Sequence, residues 1–205
     1  MNFYPEERNE QRDCFNEVSL EGQLQQDFEL VQRPGGDYYV SKVLVKRDSG
    51  VEDIIPILVK NKMPPLHKGD NVKVEGEYRS FNMNGKLVLE VYCMNIAKMD
   101  IYSNLNEIEL QGYICKKPIY RTTPFGREIC DLIVAVNRGY NKTSYIPVIV
   151  WGRQGKFISR HAIEGNKVSL SGRIQSRAYV KTLEDGSKEE RIAYEVSAGR
   201  VSLIQ

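Results

Sequence analysis

The sequence predicts an all-β protein: two tandem five-stranded Greek-key barrels, with one short helix in the second. Three observations carry this. The chain repeats itself: Asn16-Glu17-Val18-Ser19-Leu20-Glu21-Gly22 returns as Asn106-Glu107-Ile108-Glu109-Leu110-Gln111-Gly112. Ile54-Ile55-Pro56-Ile57-Leu58-Val59 returns as Tyr145-Ile146-Pro147-Val148-Ile149-Val150, and Lys68–Gly76 returns as Glu164–Gly172. The offset grows along the chain only between matched segments, where loops absorb insertions, so two copies of one fold are expected. The matched segments are short, rich in Val, Ile and Tyr, and bounded by Gly, Pro, Asn and Asp, as strands are.

Taken in order, residues 1–13 read as a polar tail, 14–100 as the first barrel and 101–205 as the second. In the second copy, strands are expected near 106–116, 127–138, 144–151, 167–180 and 191–203, with hairpin-turn chemistry at Glu184-Asp185-Gly186-Ser187. Residues 152–164 read as a short helix closed by Gly165, interrupted at Gly155. Their counterpart, Asn61 to His67, contains Pro64 and Pro65 and should not be helical. Five strands with a helix after the third match a small barrel of the OB type. The joint, Ile101 to Leu105, is short and lacks Gly and Pro, so the barrels should pack together.

Composition narrows the functional classes. With 27% charged and 41% hydrophobic residues the chain has an ordinary globular composition. No run approaches the roughly 20 apolar residues of a membrane span, and the N-terminus lacks a secretory core. Cys14, Cys93, Cys115 and Cys130 lie far apart, as do His67 and His161. Reduced thiols in an intracellular protein are expected, with no metal site, no cofactor and no disulfide. No histidine lies beside a matched nucleophile and acid, and no Gly-rich phosphate loop follows a strand, so no catalytic residues are assigned and an enzyme is not expected. The charge is asymmetric: residues 1–100 hold 13 Lys+Arg against 17 Asp+Glu, residues 101–205 hold 16 against 10. Only the basic half suits a polyanion.

The candidate site lies in that half. On Ser144–Trp151, alternation puts Ile146, Val148 and Val150 on one face and Tyr145, Pro147, Ile149 and Trp151 on the other. Alone, the strand fits either a fully buried element or an exposed stacking platform. The next strand favours the platform: Val168, Leu170 and Ile174 share the core parity, while Arg173, Gln175, Arg177 and Tyr179 share the opposite one. Arginines are poor core material, whereas cations for phosphates and flat rings for bases are what a single-strand binding face requires. Arg138 and Tyr140 add a further cation and ring, and Arg153 follows Trp151 closely. Arg121 is a weak candidate, better read as a solvated loop charge.

These residues resemble a known family. Asn106–Gly112, Ala135-Val136-Asn137-Arg138, Val148–Arg153 and Lys167–Arg177 together resemble the OB domain of bacterial single-stranded DNA-binding proteins. The resemblance implies base stacking by Tyr140, Tyr145, Trp151 and Tyr179, with Arg173 and Arg177 along the same path. It also implies a cytoplasmic, nucleoid-associated protein of DNA replication, recombination or repair, with proteins of those processes as possible partners. Family members typically carry a Gly/Gln/Pro-rich tail with an acidic tip; this chain ends Val201-Ser202-Leu203-Ile204-Gln205, so recruitment through a tip is not expected.

The first copy has lost the platform. Tyr145 corresponds to Ile54 and Trp151 to Lys60, while Arg173, Gln175, Arg177 and Tyr179 correspond to Glu77, Arg79, Phe81 and Met83. Arg79 and Phe81 remain as weak contacts. The first barrel is expected to serve in pairing, with Ile54 and Leu58 as interface residues, and a homodimer would carry four barrels. The expected function is sequence-nonspecific binding of single-stranded DNA. The alternatives are a primosomal or mobile-element assembly factor using its barrels for protein contacts, and an RNA-binding barrel protein.

Overall fold

The computed structural model describes residues 14–33, 35–60, 62–83, 85–139, 142–183 and 185–204. The first copy forms β1 (Phe15–Leu24), β2 (Glu29–Arg33), β3 (Gly36–Lys46), β4 (Glu52–Lys60), β5 (Asn71–Met83) and β6 (Lys86–Met99). The second forms β7 (Asn106–Ile114), β8 (Ile119–Thr122), β9 (Glu128–Arg138), β10 (Lys142–Trp151), α1 (Gly152–His161), β11 (Lys167–Thr182) and β12 (Lys188–Ile204).

Each copy closes a five-stranded ring. In the first, β1 pairs with β3 and β5, β3 with β4, β5 with β6, and β4 meets β6 in parallel. In the second, β7, β9, β10, β12 and β11 repeat this circuit, with a parallel β10–β12 closure. A sixth short strand, β2 or β8, lies outside each ring on β3 or β9. Its brevity and full exposure in β8 leave no alternating pattern from which a strand could be read. The rings are filled by the aliphatic parity: Leu20, Ile55, Ile57, Val72 and Val74 in one, Leu110, Ile146, Val148, Val168 and Ile174 in the other.

The helix is uninterrupted over Gly152–His161. A Cβ on Gly155 would lie 2.5 Å from the Val150 carbonyl oxygen and 3.2 Å from the Cys130 amide, so this glycine lets α1 pack closely on β9 and β10 rather than breaking it. No helix forms in the described residues between Lys60 and Asn71, as the prolines require.

The barrels join edge to edge. β1 pairs with β7 in antiparallel register centred on Val18 opposite Ile108, flanked by Asn16 opposite Leu110 and Leu20 opposite Asn106. Val18 and Ile108 are equivalent in the repeat, so a pseudo-two-fold axis passes between them. Asn16 donates to the Tyr78 carbonyl at 2.6 Å and accepts from its amide at 2.9 Å; Asn106 brackets Ile174 in the same way at 2.7 and 2.9 Å. Each amide side chain thus completes the ladder where the neighbouring strand curves away.

A second set of contacts closes two seams flanking this pairing. Ser80 on β5 accepts from the Tyr145 amide at 2.7 Å and donates its own amide to Ser144 Oγ at 3.3 Å. Its twin Ser176 on β11 accepts from the Ile54 amide at 3.2 Å and donates its amide to Asp53 at 2.7 Å. The joint is pinned as well: Ser103 donates to Glu21, and Asn104, at φ 59°, accepts from the Lys46 amide. Of the two residues expected at an interface between chains, Leu58 is 7% exposed, buried by its own chain, and the Ile54 backbone meets the second barrel at the seam.

Candidate nucleic-acid interface

The outer face of β10, β12 and β11 gathers most of the expected residues. Along β12, Ser197 pairs with both Ile149 and Arg173, and Ala193 pairs with Arg177. One row across the sheet therefore holds Arg173, Ser197 and Ile149, and Trp151, two residues on from Ile149 along β10, reaches the same row through its indole bond to Ser197. A second row, about 13 Å further along at 3.3 Å per residue, holds Arg177 and the Tyr145 end of β10. Tyr179 lies beyond, on the β11–β12 hairpin. That hairpin closes through Asp185, which accepts from the Ser187 amide and hydroxyl at 3.0 and 2.6 Å.

Each ring is held differently. Tyr145 is 47% exposed, its backbone anchored at the seam. Trp151 is half-buried and donates its indole N–H to Ser197 Oγ at 2.9 Å, which fixes the ring plane at the junction of β10 and α1. Tyr179 is half-buried, with the Arg177 guanidinium 5.7 Å from its ring centroid. The opposite face of β10 is fully buried at Ile146, Val148 and Val150, and Ile149 is also buried on the ring-bearing side.

The cations divide into three kinds. Arg173 and Arg177 are exposed on this face. The Arg173 guanidinium is held below its ordinary pKa by burial and then by the Arg47 charge across the seam, with Asp53 acting oppositely. Arg177 lies 3.7 Å from Glu195. Arg121, on edge strand β8, belongs to the same row as Trp151 through Ile129, but its guanidinium is paired with Asp131. Arg153 is exposed on the first turn of α1, outside the sheet strands.

Two expected residues differ in place. Gln175 shares the outward parity but is 6% exposed, and its amide donates to its equally buried cross-strand partner Glu195 at 2.8 Å. Arg138 pairs with Lys142 on the parity of Val136 and Ser144, the side opposite the rings, and so lies at the seam with the first barrel. Tyr140 lies outside the described residues. Sequence reasoning missed Glu195 and Ser197, the buried groups that orient Gln175, Arg177 and Trp151. For Glu195 the signal was present: Leu89-Glu90-Val91 corresponds to Tyr194-Glu195-Val196 in the repeat.

The same region of the first barrel is filled by its own side chains. Arg33 makes a two-pronged pair with Glu90 at 2.6 and 2.9 Å and lies 4.4 Å from the Phe81 centroid. Arg79 lies 3.6 Å from the Tyr92 centroid and donates to Glu77 at 2.8 Å. Both weak candidates, Arg79 and Phe81, are thus engaged internally.

Comparison with known proteins gives the family and the fold. The sequence model of the Single-strand binding protein family matches residues 105–204. A single-stranded DNA-binding protein of Clostridium tetani is 33% identical over 107 residues, covering 49% of this chain and 71% of that one. Single-stranded DNA-binding protein 1 of Clostridium acetobutylicum is 37% identical over 82 residues, covering 37% and 74%. The wild-type single-stranded DNA binding protein from Thermus aquaticus aligns in structure with a TM-score of 0.72 over 94% of each chain, at 22% identity, which establishes a shared fold over both barrels. With the second barrel matched in sequence and both in architecture, the chain belongs to the single-strand binding protein family.

Proposed function

We propose that this protein binds single-stranded DNA without sequence preference, through the outer face of β10, β12 and β11 in the second barrel. The carrying observation is the convergence of Tyr145, Trp151 and Tyr179 with Arg173 and Arg177 on one face. Rings stack on any base, and guanidiniums take the phosphates between them. Relatives named as single-stranded DNA-binding proteins support the same ligand. Roles in replication, recombination and repair accompany that activity in the family. A binding step without bond chemistry suits a face built of rings and cations.

The first barrel serves as a pairing partner, contributing β1 to β7 and a face already filled by Arg33 and Arg79. Two chains would assemble four barrels as a homodimer; sedimentation showing a stable monomer at micromolar concentration would overturn this part.

The test is quenching of Trp151 fluorescence by oligo-dT across a salt series. Each stacked ring contributes about 1–3 kcal/mol, so Trp151→Ala, Tyr145→Ala and Tyr179→Ala should each weaken binding roughly tenfold, read by anisotropy of a labelled oligomer. Affinity should fall with salt at a slope of about −0.7 per neutralised charge. Wild-type binding by all three variants would remove the platform. Tighter binding of poly-U than poly-dT would make RNA the ligand, and no quenching at all would favour a protein-assembly role.

A further inference from the structure

We propose that Arg138 is a seat for one phosphodiester of the bound strand, placed where that strand crosses from the second barrel onto the first. The inference rests on the single-stranded DNA reading above and extends its path beyond the ring-bearing face.

The pseudo-two-fold axis relates the two seams residue by residue. Arg47 follows β3 as Arg138 ends β9, and the ladders have equivalent register: Val45 pairs with Asp53, and Val136 pairs with Ser144. Arg47 and Arg138 therefore occupy the same place at the two seams. At the first seam, Asp53 is fully buried and takes Arg47 in a two-pronged bond, Nε at 2.6 Å and Nη2 at 2.7 Å. It also accepts the Ser176 amide at 2.7 Å. The fold thus shows that this position accommodates an oxyanion bridging a guanidinium and the neighbouring barrel.

At the second seam the carboxylate is missing. Ser144 stands where Asp53 stands, its hydroxyl spent on the Ser80 amide at 3.3 Å. Among the described residues the Arg138 side chain has no hydrogen bond and no ion pair, and its Nε is buried without a partner. A buried donor left unpaired is destabilising, and more so when it is charged. The nearby first-barrel charge does not relieve it: burial, and after it repulsion from Arg79, hold the guanidinium below its ordinary pKa, and Glu77, acting oppositely, is already bonded to Arg79. The residue as a whole is only half-buried, so the seam does not seal it from solvent. An external oxyanion supplied by the phosphodiester backbone completes what Asp53 completes at the twin seam. Guanidiniums favour such two-pronged oxyanion contacts.

The site lies on the parity opposite the rings, so only a strand long enough to pass the edge of the second barrel reaches it. The test compares oligo-dT of about 8 nucleotides, within the site of one OB fold, with oligo-dT of about 32, beyond it. Ser144→Asp transplants the internal carboxylate, and Arg138→Gln removes the charge. Each should weaken binding of the long oligomer by about tenfold and lower its salt slope by about 0.7, leaving the short oligomer unaffected. Ser144→Asn, of the same shape but neutral, should bind both as wild type does. If Ser144→Asp fails to fold, Arg138→Gln, at a half-exposed position, carries the test alone. Unchanged binding of the long oligomer by Arg138→Gln overturns the seat, as does equal weakening of both lengths. A wild-type chain that binds neither oligomer overturns the underlying reading as well.

Discussion

Tyr78 shows how one side chain can carry a cost that its copy does not. It fills the first barrel at 0% exposure, where the second has Ile174, and its hydroxyl is buried without a partner among the described residues. Burial, followed by the neighbouring Tyr194 and Glu195, pushes its pKa well above the ordinary phenol value. The folded state therefore holds this proton more tightly than the unfolded chain does. The resulting stability is present below pH about 10 and declines as pH rises beyond it. Tyr78→Phe removes the orphan hydroxyl and keeps the ring. Urea unfolding should show a gain of about 1–3 kcal/mol at pH 7 and a shallower decline above pH 10. A loss at pH 7 would mean that the hydroxyl has a partner. Nothing in the sequence announced this residue, since the repeat marks position 78 only as core. The rings and cations of the second copy were legible because alternation separates them from an aliphatic face. The burial of Gln175 and the seam position of Arg138 were not legible for a related reason: parity gives a face, not what covers it, and a strand that outruns its barrel turns its inner face toward a neighbour.

Among the elements, the five ring strands of each copy were readable from period-two patterning, and β2 and β8 were not, being too short and too exposed to carry it. The pairing of β1 with β7 was also beyond sequence reasoning, because the edge groups that form it are backbone. That pairing carries a visible defect. Glu17 and Glu109 are exposed and directly opposite across the ladder. Like charges in that relation destabilise a sheet, and an opposite pair contributes roughly 0.2–1 kcal/mol. Glu17→Lys should therefore raise the thermal midpoint in low salt, with the gain shrinking as ionic strength rises. A lowered midpoint in low salt would show that Glu17 has a role outside the ladder.

For the whole molecule, the register centred on Val18 and Ile108 means that the first barrel occupies the place a second copy of the other barrel could take. The repeat made two barrels legible; it did not reveal that they meet through equivalent residues. The consequence can be tested on residues 101–205 alone. Without β1, the β7 edge is left unpaired, and exposed strand edges recruit partners. Pairing of two such fragments in the same register sets Ile108 opposite Ile108, and Asn106 opposite Leu110 as already occurs across the intact seam. It also sets Glu107 opposite Glu109 twice, where the intact chain has Ser19 opposite Glu107 and one acidic pair. The fragment should then dimerise more weakly in low salt than in high salt, and Glu107→Lys should tighten the dimer by turning both acidic pairs into opposite-charge pairs. Sedimentation at tens of micromolar, with circular dichroism to establish that the fragment is folded, reads all three conditions. A folded fragment that stays monomeric even with Glu107→Lys would show that the seam contacts around Ser80 and Ser176, rather than the β1–β7 ladder, hold the barrels together.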